Sequence, residues 1–208
     1  MLGDDAKSLI EKATVTISIR GGRGVLVNSG FILTAAHCLN YTTEGDMVLD
    51  GHNIEKIDTC LGKFKVAIKT VEPVNDIAAL NSLDNQEFWK EASEYQDFCN
   101  NTTPVKIAEP LLEATNFPVF IFTHKGTWLK AIAETFGFGD PVISFECEEQ
   151  IEAGTSGSAI VNEAGELVAI VSNTNVIDEH MTACHGSSPQ PLLALPVWVC
   201  NAINETEA

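Results

Sequence analysis

Three residues of this 208-residue chain carry groups that acyl-transfer chemistry uses: the imidazole of His37, the carboxylate of Asp76 and the hydroxyl of Ser156. His37 lies in Thr34-Ala35-Ala36-His37-Cys38, where small neighbours leave the ring room to reach two partners. Asp76, in Val74-Asn75-Asp76-Ile77-Ala78-Ala79-Leu80, is followed at once by apolar residues, so its carboxylate is partly desolvated and needs a donor to hold it. Ser156 stands in Gly154-Thr155-Ser156-Gly157-Ser158-Ala159, where glycines let backbone N–H groups face whatever the hydroxyl attacks. A serine hydroxyl is a weak nucleophile at neutral pH and needs an adjacent base whose pKa is near the working range. His37 fits that part, Asp76 would fix its tautomer, and the Gly154 and Ser156 N–H groups would receive the oxyanion. Each motif also has a structural reading: a buried histidine, a strand-end cap, a glycine-rich turn.

Elements that must position these groups are mostly short strands. Residues 4–12 place Ala6, Leu9 and Ile10 at helical spacing behind an acidic start, which predicts a short amphipathic helix. Residues 13–19 then alternate with period two and are rich in β-branched types, which predicts a strand, ended by Gly21-Gly22-Arg23-Gly24. Residues 25–27, a turn at Asn28-Ser29-Gly30 and residues 31–34 form a candidate hairpin. Further strands are predicted at 47–49, 64–68, 119–122, 128–132, 142–145 and 167–171. The polar stretch 84–103 is expected to connect two halves, with a helical turn around 87–95. Many short strands, few helices and no long repeat predict an all-β barrel or sandwich architecture.

Composition limits the partners. The chain is 45% hydrophobic and 20% charged, as expected of a folded protein with a sizeable core. Its net charge of -17 repels phosphate backbones and anionic headgroups, so neither nucleic acid nor membrane is expected as a partner. No apolar run approaches the ~20 residues that span a bilayer. The start Met1-Leu2-Gly3-Asp4-Asp5 is acidic, unlike a secretory signal, so the expected location is cytoplasmic, or secreted with a leader already removed. The six cysteines Cys38, Cys60, Cys99, Cys147, Cys184 and Cys200 contain no Cys-x-x-Cys pair, and no metal or other cofactor is implied. They are equally compatible with disulfides and with a reduced set of small buried hydrophobes. Sequons begin at Asn40, Asn100, Asn101 and Asn204, and matter only in a eukaryotic secretory route. His52, His124, His180 and His185 stand in no second motif and read as surface or loop residues.

The order His37, Asp76, Ser156, with gaps of 39 and 80 residues, joins the three motifs. Together these segments resemble the active-site motifs of chymotrypsin-like serine peptidases, an order distinct from those of subtilisins and α/β-hydrolases. Ile160-Val161, the turn Asn162-Glu163-Ala164-Gly165 and residues 166–172 resemble the hairpin that follows the nucleophile there. Residues 193–196 and the apolar 197–203 are similar to the last strand and closing helix. The resemblance covers about residues 13–203. It implies two packed antiparallel six-stranded β-barrels with short N-terminal and C-terminal helices and a site in the cleft between them. The corresponding division is a helix at 1–12, a first barrel at 13–100 with His37 and Asp76, and a second at 101–208 with Ser156.

It also implies a serine endopeptidase acting on protein or peptide through an acyl-enzyme. Ser172-Asn173-Thr174 would pair with an extended substrate, and Gln150 falls near the base of the primary specificity pocket, where a trypsin-like Asp is missing. Motif by motif, the chain looks nearest to HtrA-like and glutamyl-endopeptidase-like bacterial or viral members. No PDZ-like module follows, and Val171 stands where glutamyl endopeptidases place a His. Thr155 replaces the Asp that pairs with a newly cut N-terminus in digestive members, so activation by such cleavage is not implied. Gly22 takes the position of the usual disulfide partner of Cys38, which leaves Cys38 with another partner or reduced. The alternatives are a catalytically latent chymotrypsin-fold module that binds a protein partner, and an esterase or self-processing protease that shares the mechanism. Oligomeric state is not indicated.

Overall fold

The computed structural model describes residues 1–40, 43–44, 47–48, 54–72, 76–109, 115–136, 142–147, 151–172 and 190–193. Helix α1 (Asp4–Ala13) leads into β1 (Thr14–Ile17), β2 (Arg23–Val27), β3 (Phe31–Ala35), β4 (Thr43–Glu44), β5 (Met47–Val48), β6 (Ile54–Thr59), β7 (Gly62–Glu72) and β8 (Ile77–Asn81). Helix α2 (Trp89–Asn101) precedes β9 (Thr115–Phe122), β10 (Trp128–Phe136), β11 (Val142–Cys147), β12 (Ala159–Val161), β13 (Leu167–Ile170) and β14 (Gln190–Leu193).

Strands β1, β2, β3, β8, β7 and β6 close into an antiparallel barrel in that order. The second half is a six-stranded sheet in the order β13-β12-β9-β10-β11-β14, with no β13–β14 pairing among the described residues. The mostly β architecture thus matches the expectation, with closure seen in the first half. The predicted closing helix at 197–203 lies outside the described residues, as do Gln150, Asn173, Thr174, His52, His180 and His185.

Several boundaries differ from the sequence reading. Ala13 ends α1 instead of opening a strand, because Thr14 Oγ1 donates to Ile10 O (2.7 Å) and the chain becomes extended at Thr14. The first strand stops at Ile17, and Ile19 is exposed. The stretch expected as a connection carries a 13-residue helix packed on β7, since Ala92, Tyr95 and Phe98 give it a buried stripe. Phe98 is fully buried against Phe64, and the Tyr95 hydroxyl caps the β2–β3 hairpin by donating to Gly30 O.

Alternation along the second-half strands divides their side chains between two cores. Phe120, Ala159 and Val161 join the large core with Val25, Leu26, Ile32 and Leu33 of the barrel. Val119, Ile121 and Ile160, on the opposite faces, form a smaller cluster with Leu129, Ala131 and Ala133. The connecting chain is stitched to both halves. Val105 N donates to Leu26 O (2.9 Å), Ala108 N to Leu167 O (2.8 Å) and Leu167 N to Lys106 O (2.8 Å). No helix among the described residues is long and apolar enough to cross a membrane. Because Phe98 lies at the centre of the α2–barrel contact, Phe98→Ala is expected to cost about 3–5 kcal/mol, read as a lowered urea midpoint.

Candidate active site

Strand β3 delivers His37. It ends at Ala35, and a short 3-10 turn at Ala36–Cys38 swings the imidazole off the barrel rim. The turn is fastened to the entrance of β8 by Ala36 N, which donates to Asp76 O (2.9 Å). Beyond it Asn40 N donates to Oε2 of the buried Glu55 on β6 (3.3 Å), so both ends of the segment are held.

Asp76 has a left-handed backbone with φ 53°, a region that Asp tolerates better than most side-chain-bearing residues. This conformation lets one residue use its carbonyl and its carboxylate on the same turn. Oδ1 accepts from His37 N (2.8 Å), while Oδ2 is 2.6 Å from His37 Nδ1 and accepts from Ser172 Oγ at 2.7 Å. Burial alone would push the Asp76 carboxyl up, but the donors from His37 and Ser172 bring it below the usual carboxylate value. The same bond to Asp76, followed by the contact with Cys38, raises the His37 imidazole to about 10.

The turn that carries Ser156 belongs to the second half but is held from the first. Arg23 N on β2 donates to Ser156 O (2.7 Å), and Gly157 N donates to Val171 O (2.6 Å). Gly157 has φ 80°, and a Cβ there would overlap the Arg23 carbonyl, so only glycine fits. Besides Gly157, two more donors of this turn are used within it. Thr155 N donates to Glu152 O (3.2 Å) and Ser158 N to Thr155 O (3.0 Å), whereas the N–H groups of Gly154 and Ser156 have no acceptor among the described residues.

Ser156 Oγ makes no hydrogen bond to His37 in this structure; His37 Nε2 instead lies 3.7 Å from Cys38 Sγ, which also contacts Ser156 O at 3.7 Å. Cys38 is buried and free, and Gly22 stands so close that a Cβ on it would overlap the sulfur. The structure therefore gathers His37, Asp76, Ser172 and the turn carrying Ser156 and Gly154.

Two residues of this corner escaped the sequence reading. His124 sits in a turn, as expected of a loop residue, but is half-buried there: its Nδ1 is 3.1 Å from Thr155 Oγ1 and its ring lies within van der Waals reach of where a Cβ on Gly154 would stand. Arg23, read only as part of a turn, donates from Nη2 to His124 O (2.7 Å) and lies over the Phe122 ring. A lone His in a Thr-His-Lys-Gly turn gives no local signal, because its partner is 31 residues away.

The His37–Asp76 pair makes stability depend on pH with opposite signs at the two ends. The Asp76 share is present above its unfolded value of 3.8 and is lost as pH falls through the lowered folded value. The His37 share is full below its unfolded value of 6.5 and is lost as pH rises through about 10. Asp76→Asn is therefore expected to lower the urea midpoint most between about pH 4 and 6.5, with the gap closing toward alkaline pH. In the same variant the His37 titration, followed by imidazole NMR, is expected to move down toward the ordinary value. An unmoved His37 titration would contradict the bond to Asp76.

Comparison with known proteins bears on the family and the fold. The Trypsin family model matches residues 3–110, a segment that includes His37 and Asp76. The solved Rv3671c protease in its inactive form is similar in structure, with a TM-score of 0.57 and 16% sequence identity over 99% of this chain and 94% of that one. The active form of the Rv3671c protease from M. tuberculosis gives the same TM-score and identity over 95% of this chain and 82% of its own. At that identity the likeness speaks for the fold. No curated protein matches the sequence. With a closed barrel that presents His37 on Asp76, and a family model matched across more than half its length, the chain belongs to the Trypsin family.

Proposed function

We propose that this protein is a serine endopeptidase that cleaves protein or peptide substrates through an acyl-enzyme. The observation that carries this reading is the hydrogen-bonded line from Ser172 Oγ through Asp76 to His37 Nδ1, beside a turn that carries Ser156 and whose Gly154 and Ser156 N–H groups have no acceptor among the described residues. Bonded to Asp76 through Nδ1, His37 keeps Nε2 for proton transfer. Neutral His37 takes the Ser156 proton as Oγ attacks the carbonyl carbon, and the Gly154 and Ser156 N–H groups receive the oxyanion. Collapse expels the amine with the proton from His37, and a water activated by the same nitrogen releases the acid. Because Nε2 contacts Cys38 Sγ at rest, the ring or the Ser156 side chain has to shift when substrate seats.

Under this reading the second sheet closes as a second barrel around residues 101–208, and the barrels at 13–100 and 101–208 flank the cleft, with α1 outside them. Ser172-Asn173-Thr174 pairs with the extended substrate and Gln150 floors the primary pocket, which argues against strict cleavage after Arg or Lys. A subfamily near the HtrA-like and glutamyl-endopeptidase-like enzymes is the reading its glycine-framed nucleophile supports.

Intact mass after treatment with a fluorophosphonate is expected to show one adduct on the wild type and none on Ser156→Ala or His37→Ala. Peptide hydrolysis retained by Ser156→Ala would overturn the mechanism. Because His37 must be neutral to act as base, kcat/KM is expected to climb with pH toward the raised His37 value. Asp76→Asn is expected to shift that limb down while lowering the plateau by about 10,000-fold. The resting His37–Cys38 contact favours a second reading, a latent cleft that binds a partner without turnover. Absence of any adduct, with partner capture unaffected by Ser156→Ala, is the outcome that supports it.

A further inference from the structure

Strands β9 and β10 are joined by a tight turn at residues 123–127. Thr123 N donates to Thr127 O (2.9 Å), Gly126 N donates to Thr123 O (3.0 Å), and the two threonine hydroxyls meet at 2.7 Å. This turn carries His124 against the segment before the nucleophile. Nδ1 is 3.1 Å from Thr155 Oγ1, Nε2 is 3.8 Å from Glu152 Oε2, and the ring lies in ordinary contact range of a Cβ built on Gly154. Lys125 Nζ holds the other Glu152 oxygen at 2.5 Å. Both ends of the Glu152–Thr155 turn are thus held from one hairpin.

Two features make His124 more than a neighbour. Thr155 is fully buried, so its hydroxyl needs partners: the His124 backbone N–H donates to Oγ1 at 3.5 Å, a long contact that any residue at 124 would keep, and the His124 ring is the side chain that meets it closely. The hairpin is also tied to the barrel. Arg23 Nη2 donates to His124 O (2.7 Å) and contacts Thr123 O (3.4 Å), while Arg23 N donates to Ser156 O. One arginine on β2 therefore registers the hairpin tip and the nucleophile turn against the strand that leads, through β3, to His37.

We infer that His124 is a positioning residue: held on the β9–β10 hairpin by Arg23, it keeps the Glu152–Thr155 turn in the one conformation that leaves the Gly154 and Ser156 N–H groups free to bind an oxyanion. The inference rests on the proposed reading in taking those two donors as the oxyanion site. It assigns to a side chain of the neighbouring hairpin the support that Thr155, lacking a charge, cannot draw from an ion pair. The His124 imidazole touches no reacting atom. Its effect passes entirely through the turn.

The test combines His124→Ala and His124→Asn with two readouts. Amide hydrogen exchange over residues 151–158, with residues 24–35 of the barrel as internal control, reports the turn whether or not the protein turns out to be an enzyme. Peptide hydrolysis then separates kcat from KM. In His124→Ala, exchange at Thr155 and Ser158 is expected to speed up at least tenfold with the barrel unchanged. The same variant is expected to lose about 10- to 100-fold in kcat with KM little moved, a part of what losing an oxyanion donor costs. Asn, whose side-chain amide can reach Thr155 Oγ1, is expected to restore most of both. Unchanged exchange at Thr155 in His124→Ala, equal loosening of turn and barrel, or a loss that Asn does not rescue would each overturn the inference. A wild type with no hydrolysis and no fluorophosphonate adduct would instead sink the peptidase reading, and the exchange comparison would still decide the role of His124 in the turn.

Discussion

The carboxylate of Asp76 is the interaction on which the rest of the site depends. It is taken out of much of its water at the mouth of β8, and charge in that position needs several donors to be tolerated. Those donors come from both halves of the molecule: the backbone and ring of His37 from the barrel, and the hydroxyl of Ser172 from the end of β13. The left-handed backbone of Asp76 is the local cost of aiming carbonyl and carboxylate at one short turn. Removing any one donor leaves the charge less compensated, so the geometry of the imidazole and the contact between the halves are maintained by the same bonds.

The turn that carries Ser156 follows a different logic, in which backbone does what charge does at Asp76. Ser156 O, Gly157 N and the Arg23 carbonyl lie so close that no side chain fits between them. Glycine at 157 is required by the space and by its positive φ together. Around it Thr155, Gly157 and Ser158 spend their N–H groups on backbone carbonyls. Cys38 lies between the two systems, its sulfur touching both His37 and the Ser156 carbonyl, and Gly22 leaves it that space.

Much of this was legible in the chain. Period-two alternation located β1, and short β-type runs between Gly, Asn and Pro located β2, β3, β7, β9, β10, β11 and β13. Strand β8 was harder: Ile77-Ala78-Ala79-Leu80 is a short apolar run without alternation, as a strand paired on both sides with little exposed face will be. Strand β6, Ile54–Thr59, has one core residue, Ile57, among charged neighbours that include the buried Glu55, and gives a weak signal alone. Helix α2 was under-read because its stripe of Ala92, Tyr95 and Phe98 is narrow within a polar sequence. His37, Asp76 and Ser156 stood out because each sits in a motif with local structure. His124 and Arg23 did not, since their roles arise from contacts 31 and about 100 residues away.

Helix α1 has its own mechanical consequence. Ile10 and Ala13 are embedded in the large core beside β1 and β2, while Glu11 on the same helix accepts from Trp128 Nε1 at the start of β10 (2.8 Å). The helix therefore spans both halves on the outside, as the stitched segment at residues 105–108 does between Leu26 and Leu167. A hinge rotation of one half against the other would have to break these fastenings together. Adjustment to any ligand held there would fall instead to side chains and turns, which places the cost of a poor fit locally, in the rotamers around His37 and Ser156.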